Sequence, residues 1–145
     1  MDLLQHNDIE QTLERERHIY VDTPDGKQVF CVVNYCADVP HGQKKSSNKA
    51  VIVAHGLTGN PYEYLHQTAK DYFNAQGYDV YRLAFYRDEA QCRDLKDCTV
   101  QTHADDLNSV AAYVGQQHDE VFICGHSYGG LTLLFANPDV TGAAF

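Results

Sequence analysis

The chain of 145 residues has no tryptophan and no excess of basic side chains. Eleven Lys and Arg stand against 20 Asp and Glu, a formal net charge of -9. Binding a phosphate backbone requires clustered cations, so this balance argues against nucleic acid as a partner. The only basic cluster, Lys44-Lys45 with Lys49, falls in a polar stretch and reads as a solvated loop. No Cys-x-x-Cys pair and no His-x-x-x-His helix face occurs, so no metal is expected. The Gly-x-Gly-x-x-Gly order that admits a pyrophosphate is also missing, and no cofactor is expected. No apolar run approaches the roughly 20 residues that span a bilayer. Five cysteines are present, Cys31, Cys36, Cys92, Cys98 and Cys124. Their odd number, behind an N-terminus without signal-peptide character, favours reduced thiols in a cytoplasmic protein.

Apolar residues make up 43% of the chain, enough for one domain with a packed core. Residues 1–16 are polar and read as an N-terminal arm; residues 17–145 read as the domain. His18 to Val21 and Gln28 to Tyr35 predict two strands joined at Thr23-Pro24-Asp25-Gly26. There Pro presets the turn and Gly accepts a positive φ. Ala50 to Ala54 is an uninterrupted apolar strand, the pattern of a sheet covered on both faces. Pro61 to Gln76 carries Tyr64, Leu65, Ala69, Tyr72 and Phe73 at helical spacing, with Gly77 placed to end the helix. Tyr78 to Ala84 predicts the next strand, with Val80 and Leu83 in the core. Arg87 to Asp97 reads as a long solvated connection. Thr102 with Asp105 predicts a capping box, and Leu107, Val110, Ala111 and Val114 share one face of the helix that follows. Glu120 to Cys124 predicts a strand, Gly130 to Ala136 an apolar helix, and Val140 to Phe145 a last strand. The alternation implies a mostly parallel sheet with helices on both faces and an N-terminal antiparallel hairpin, an α/β class.

Reactive groups in such sheets collect beyond the carboxyl ends of the strands. Two Gly motifs lie there, His55-Gly56 and Gly125-His126-Ser127-Tyr128-Gly129. A Gly-x-Ser-x-Gly between a strand and a helix is the pattern of a nucleophile elbow. The sharp bend lifts the Ser127 hydroxyl clear of its own backbone, and Gly125 and Gly129 leave room for it. Attack on a carbonyl creates an oxyanion that two backbone N–H groups must stabilise. Tyr128 supplies one by its position after the serine, and Leu57 is placed to supply the other. His55 is expected to organise its turn rather than act as base. His126 reads as wall, His103 as a helix-surface or first-turn residue, and Asp105 as an N-terminal helix charge. Tyr62 and Tyr64 suit either an acyl pocket or packing of the first helix.

These motifs, VIVAHGLTG (Val51 to Gly59) and ICGHSYGG (Ile123 to Gly130), resemble those of the α/β-hydrolase superfamily, nearest to its lipase- and esterase-like members. The likeness spans roughly Arg17 to Phe145 and covers the N-terminal portion of that fold. It implies a serine esterase acting on a small acyl ester or thioester through an acyl-Ser127 intermediate. In that superfamily the acid and the His follow the serine in the chain. Here only Asp139 is acidic after Ser127, and no His follows it. The expectation is an incomplete hydrolase domain, inactive alone, whose acid and base lie in a complementing C-terminal segment. The alternative is a non-catalytic α/β module that binds a ligand or partner, with a homodimer covering its open edge.

Overall fold

The computed structural model describes residues 13–145. Most of the expected N-terminal arm therefore lies outside the described residues. Its last positions, Leu13 to Glu16, are already strand: β1 runs Leu13–Asp22 and pairs antiparallel with β2, Gln28–Pro40. The turn between them has Gly26 at φ 82°, with its N–H donating to the Thr23 carbonyl at 3.2 Å. β3 (Lys49–Ala54), β4 (Asp79–Ala84), β5 (Glu120–Gly125) and β6 (Gly142–Ala144) complete a six-stranded sheet in the order β1-β2-β4-β3-β5-β6. β2 pairs antiparallel with β4, and the three remaining pairings are parallel.

Both faces of β3 are covered, as its unbroken apolar run requires, and β4 beside it is buried along its whole length. Successive side chains of a strand point to opposite faces. Val51, Val53 and Val80 pack toward Ala69 and Phe73 of α1 (Tyr64–Ala75), together with Tyr78 and Phe122. Ala50, Ile52 and Ala54 join the larger core with Leu107, Val110, Ala111 and Val114 of α2 (Val100–Gln117) and Leu133 of α3 (Tyr128–Ala136). Val80 and Leu83 are fully buried, as expected.

The helix ends are set by local chemistry. α1 closes in a Schellman motif: Gly77, at φ 85°, donates to the Asn74 carbonyl and Tyr78 to the Phe73 carbonyl, both at 3.0 Å. α2 begins earlier than expected. Its N-cap is Thr99, and Thr102 is the third residue of the box rather than the cap. The Thr102 N–H donates to Thr99 Oγ1 at 3.1 Å, and the Thr99 N–H donates to Thr102 Oγ1 at 2.8 Å. Asp105 is left on the surface, accepting from Gln101.

The connection after β4 is not simply solvated. Arg93 is buried and donates from Nε and Nη2 to the two carboxylate oxygens of Asp106, each at 2.9 Å. Its Nη1 donates to Asp25 at 3.0 Å, so one guanidinium joins the hairpin turn, this connection and α2. The Arg93 hydrogen bond holds the Asp25 carboxyl at about 2. A second buried carboxylate, Asp79, gathers the backbone N–H groups of Ser46 (2.7 Å), Ser47 (3.0 Å) and Cys36 (3.1 Å) and orders the polar stretch before β3. All five cysteines are free thiols.

Candidate functional site

Register places the two Gly motifs side by side. β3 and β5 pair in parallel from Lys49↔Glu120 to Ala54↔Gly125, so both strands end at one level. The His126 N–H donates to the Ala54 carbonyl at 3.1 Å and carries the pairing one residue past the strand. The two turns then touch. A Cβ placed on Gly56 would stand 3.3 Å from the Cβ of Ser127 and 3.4 Å from the carbonyl oxygen of His126.

Ser127 is exposed and has φ 55° and ψ -119°, a conformation that side chains other than Gly rarely adopt. Such strain persists only where the surroundings over-determine it. Here they are two glycines in backbone contact. A Cβ on Gly125 would come within 2.6 Å of the Gly129 carbonyl oxygen. One on Gly129 would collide with the carbonyl oxygens of Ala54 and His55. Neither position accepts any larger residue without a shift of backbone, and together they permit the close packing around the bend at Ser127.

Beyond the bend α3 begins at once. The N–H groups of Gly130 and Leu131 return to the Ser127 carbonyl at 2.9 and 3.2 Å, and Gly129 donates to the His126 carbonyl at 2.9 Å. Among the described residues the Tyr128 N–H has no acceptor. The Leu57 N–H has none either, although its neighbour Gly59 donates to Gly56 at 3.0 Å. Two unsatisfied amides therefore lie in the turns that meet at Ser127, one of them at the positive end of a helix.

His55 is buried, with both ring nitrogens engaged. Nδ1 donates to the Gly56 carbonyl at 2.7 Å, and Nε2 accepts the Phe85 N–H at 3.0 Å. Burial lowers its pKa, so it is a neutral ring of fixed tautomer with no lone pair for the serine. His126 is exposed, its ring 6.2 Å from that of His66. His66 is buried beside Glu63, Nε2 to Oε2 3.1 Å, and burial lowers its pKa. His103 is not a surface residue. It is buried between Phe85 and Tyr128, neither nitrogen has a partner among the described residues, and desolvation lowers its pKa to about 4. Sequence patterning missed it because His at a helix start reads as polar. Its burial comes from two aromatic rings brought by different elements. Asp106, adjacent in sequence to Asp105, is spent on Arg93 rather than forming a carboxylate pair with it. Tyr62 and Tyr64 are both exposed.

Among the described residues no histidine nitrogen hydrogen-bonds the Ser127 hydroxyl, and no group of His, Cys, Asp and Glu is arranged to hold a metal. No helix among them is long and apolar enough to cross a membrane.

No protein-family profile matches the chain, and no curated protein matches it by sequence. Solved structures do match it in fold. It superposes on Est1E of Butyrivibrio proteoclasticus, solved with ferulic acid bound, at a TM-score of 0.68 and 22% identity over 81% of this chain and 46% of that one. XC6422 of Xanthomonas campestris, described as an α/β serine hydrolase without a lid, gives 0.68 and 20% over 87% of this chain and 57% of that one. The esterase Pf2001 of Pyrococcus furiosus gives 0.70 and 18% over 90% and 50%. The chain thus has the α/β-hydrolase fold and spans about half the length of these structures.

Proposed function

We propose that this chain, with its α/β-hydrolase fold, is the nucleophile-bearing part of a serine hydrolase that cleaves small acyl esters or thioesters. The observation that carries the reading is the strained, exposed Ser127 seated against Gly56, with the acceptor-free amides of Leu57 and Tyr128 in the two turns that meet there. In the reaction Ser127 Oγ bonds to the substrate carbonyl carbon as its proton passes to a base. The carbonyl oxygen becomes an oxyanion held by the Leu57 and Tyr128 N–H groups. Collapse expels the alcohol or thiol, which takes a proton from that base, and leaves acyl-Ser127; water then releases the acid. Removing one oxyanion donor typically costs about 2.7–4 kcal/mol of barrier.

Among the described residues the base is the unfilled role. His55 is committed on both nitrogens, so the reading assigns base and acid to a complementing C-terminal segment. The incomplete hydrolase domain expected over residues 17–145 then begins no later than Leu13, where β1 starts, and His55, Gly56, Gly125, His126 and Gly129 support the motif. The charge of -9 accords with a small-molecule substrate rather than nucleic acid, and free thiols accord with a cytoplasmic setting.

A second reading, a non-catalytic binding module, rests on exposed apolar side chains. Leu131, Leu134 and Phe135 of α3 and Phe145 beyond β6 are each at least half exposed. A surface of this kind suits a second copy of the chain or another polypeptide. The two readings separate with a fluorophosphonate probe and mass spectrometry. Labelling of Ser127 once a base is supplied by the complementing C-terminal segment, abolished in Ser127→Ala, is the expected result. Folded protein that stays unlabelled with and without that segment would leave the binding module standing.

A further inference from the structure

The loop between β3 and α1 is held by its carbonyls. The Gly56 oxygen accepts from His55 Nδ1 at 2.7 Å, the Gly59 oxygen from the Tyr86 hydroxyl at 2.6 Å, and the Pro61 oxygen from Arg82 Nη1 at 2.7 Å. All three donors come from side chains at the ends of β3 and β4. Each is itself anchored. Arg82, 1% exposed, also donates from Nη2 (2.8 Å) and Nε (3.2 Å) to Asn34 Oδ1 on β2. The Tyr86 ring stands edge-on to His55, centroids 5.5 Å apart and planes 87° from parallel. Phe85 packs edge-on to the same imidazole, at 5.1 Å.

Between the first two pinned carbonyls lies Thr58, at φ 60°. A β-branched residue with positive φ is an outlier that relaxes unless neighbouring contacts prevent it. In a trans peptide the C=O and the following N–H point in opposite directions. A carbonyl drawn to the sheet side therefore turns the next amide outward. For the Gly56–Leu57 peptide that amide is the Leu57 N–H. His55 fixes this peptide directly. On the far side of the strained turn the Gly59 carbonyl is fixed by the Tyr86 hydroxyl.

We infer that Tyr86 is a positioning residue: its hydroxyl, through the Gly59 carbonyl, holds the Thr58 turn in the conformation that presents the Leu57 amide to Ser127. Arg82 performs the same office one step farther along, at Pro61. The inference about presentation rests on the reading of Ser127 as nucleophile; the tether itself is measurable without it.

The test uses Tyr86→Phe, which deletes the hydroxyl and keeps the ring against His55. Tyr20→Phe is the control, since the Tyr20 hydroxyl donates to Glu89 at 2.6 Å, away from this loop. Backbone relaxation by NMR should show order parameters of Leu57, Thr58 and Gly59 falling from about 0.85 toward about 0.6 in Tyr86→Phe. Exchange of the Gly59 amide should quicken by about three- to tenfold relative to Ile52 and Leu83, the range expected for one net hydrogen bond. Fluorophosphonate labelling of Ser127 should slow by at least about threefold in Tyr86→Phe and not in Tyr20→Phe. A loop as rigid as in the wild type, or one loosened only in step with the sheet, overturns the tether. A loosened loop with unchanged labelling overturns its link to the Leu57 amide. A wild-type chain that takes no label with or without the complementing segment defeats the Ser127 reading, and relaxation alone then decides the tether.

Discussion

The imidazole of His103 lies flat on the ring of Phe85, with centroids 4.2 Å apart and planes 7° from parallel. The Tyr128 ring meets it edge-on at 5.5 Å, so this histidine forms part of the floor beneath the residue that follows Ser127. Its pKa of about 4 is below the ordinary value of 6.5, because burial disfavours the imidazolium. The unfolded chain binds this proton first as pH falls. Stability is therefore full above about pH 6.5 and is lost progressively down to about pH 4. The loss from this residue is on the order of 2–3 kcal/mol. His55, His66 and His118, also lowered by burial, steepen the same slope. Urea titrations at pH 7 and pH 4.5 should show the drop, and His103→Phe, which retains the stack, should lessen it. An unaltered pH dependence in that variant would remove His103 from this account.

Ser127→Gly should stabilise the fold while removing the hydroxyl proposed as nucleophile. Relief of a positive-φ strain of about 1–3 kcal/mol exceeds the extra unfolded-chain entropy of Gly, about 0.5–1 kcal/mol. A gain of about 1 kcal/mol is expected in chemical denaturation, with all fluorophosphonate labelling at this position lost. A destabilised Ser127→Gly would mean that the bend is not strained.

Arg93→Ala should be among the most damaging single changes far from Ser127. It leaves Asp106, 2% exposed, without its bidentate partner, and breaking a buried pair costs about 3–5 kcal/mol. Arg93→Ala with Asp106→Leu should recover much of that loss, because the double change removes the stranded charge. Thermal unfolding of the two variants checks the order.

Gly125→Ala should not fold normally. The added methyl group would sit 2.6 Å from a backbone oxygen of Gly129, and neither side can yield without opening the bend at Ser127. A cost of at least about 2 kcal/mol is expected. Gly115→Ala is the contrast: nothing lies within 4 Å of the new atom, and an exposed helix gains about 0.5–1 kcal/mol from the exchange. Denaturation midpoints moving in opposite directions would bear out this difference between the two glycines.

Much of the architecture was legible in the chain. The valine-rich runs at residues 29–33 and 51–53 require cover on both faces, and the face formed by Leu107, Val110, Ala111 and Val114 is the one α2 buries. Thr23-Pro24-Asp25-Gly26 turns where its chemistry places a turn. The candidate site was legible to the extent that it is local, because a Gly-x-Ser-x-Gly after an apolar strand has few backbone solutions. What escaped was side-chain partnering, between distant segments and at one helix cap. Arg93 sits among charged neighbours and reads as solvated until Asp106 and Asp25 close on it. Thr99 and Thr102 are equally good caps by type, and only the reciprocal hydrogen bonds choose between them.

From residue order alone came the alternation of strands and helices, the turn chemistry and the placing of Ser127 between β5 and α3. These depend on side-chain periodicity and on backbone freedom over a few residues, which short segments carry with them. Tertiary structure alone decided that Gly56 lies against Ser127, that His55 has no free nitrogen, that His103 is buried and that Tyr86 reaches Gly59. Each of these joins groups 27 or more residues apart or depends on solvent being excluded by several elements at once. Such proximity follows from the register of β3 against β5 and β4, which no local window of the chain contains.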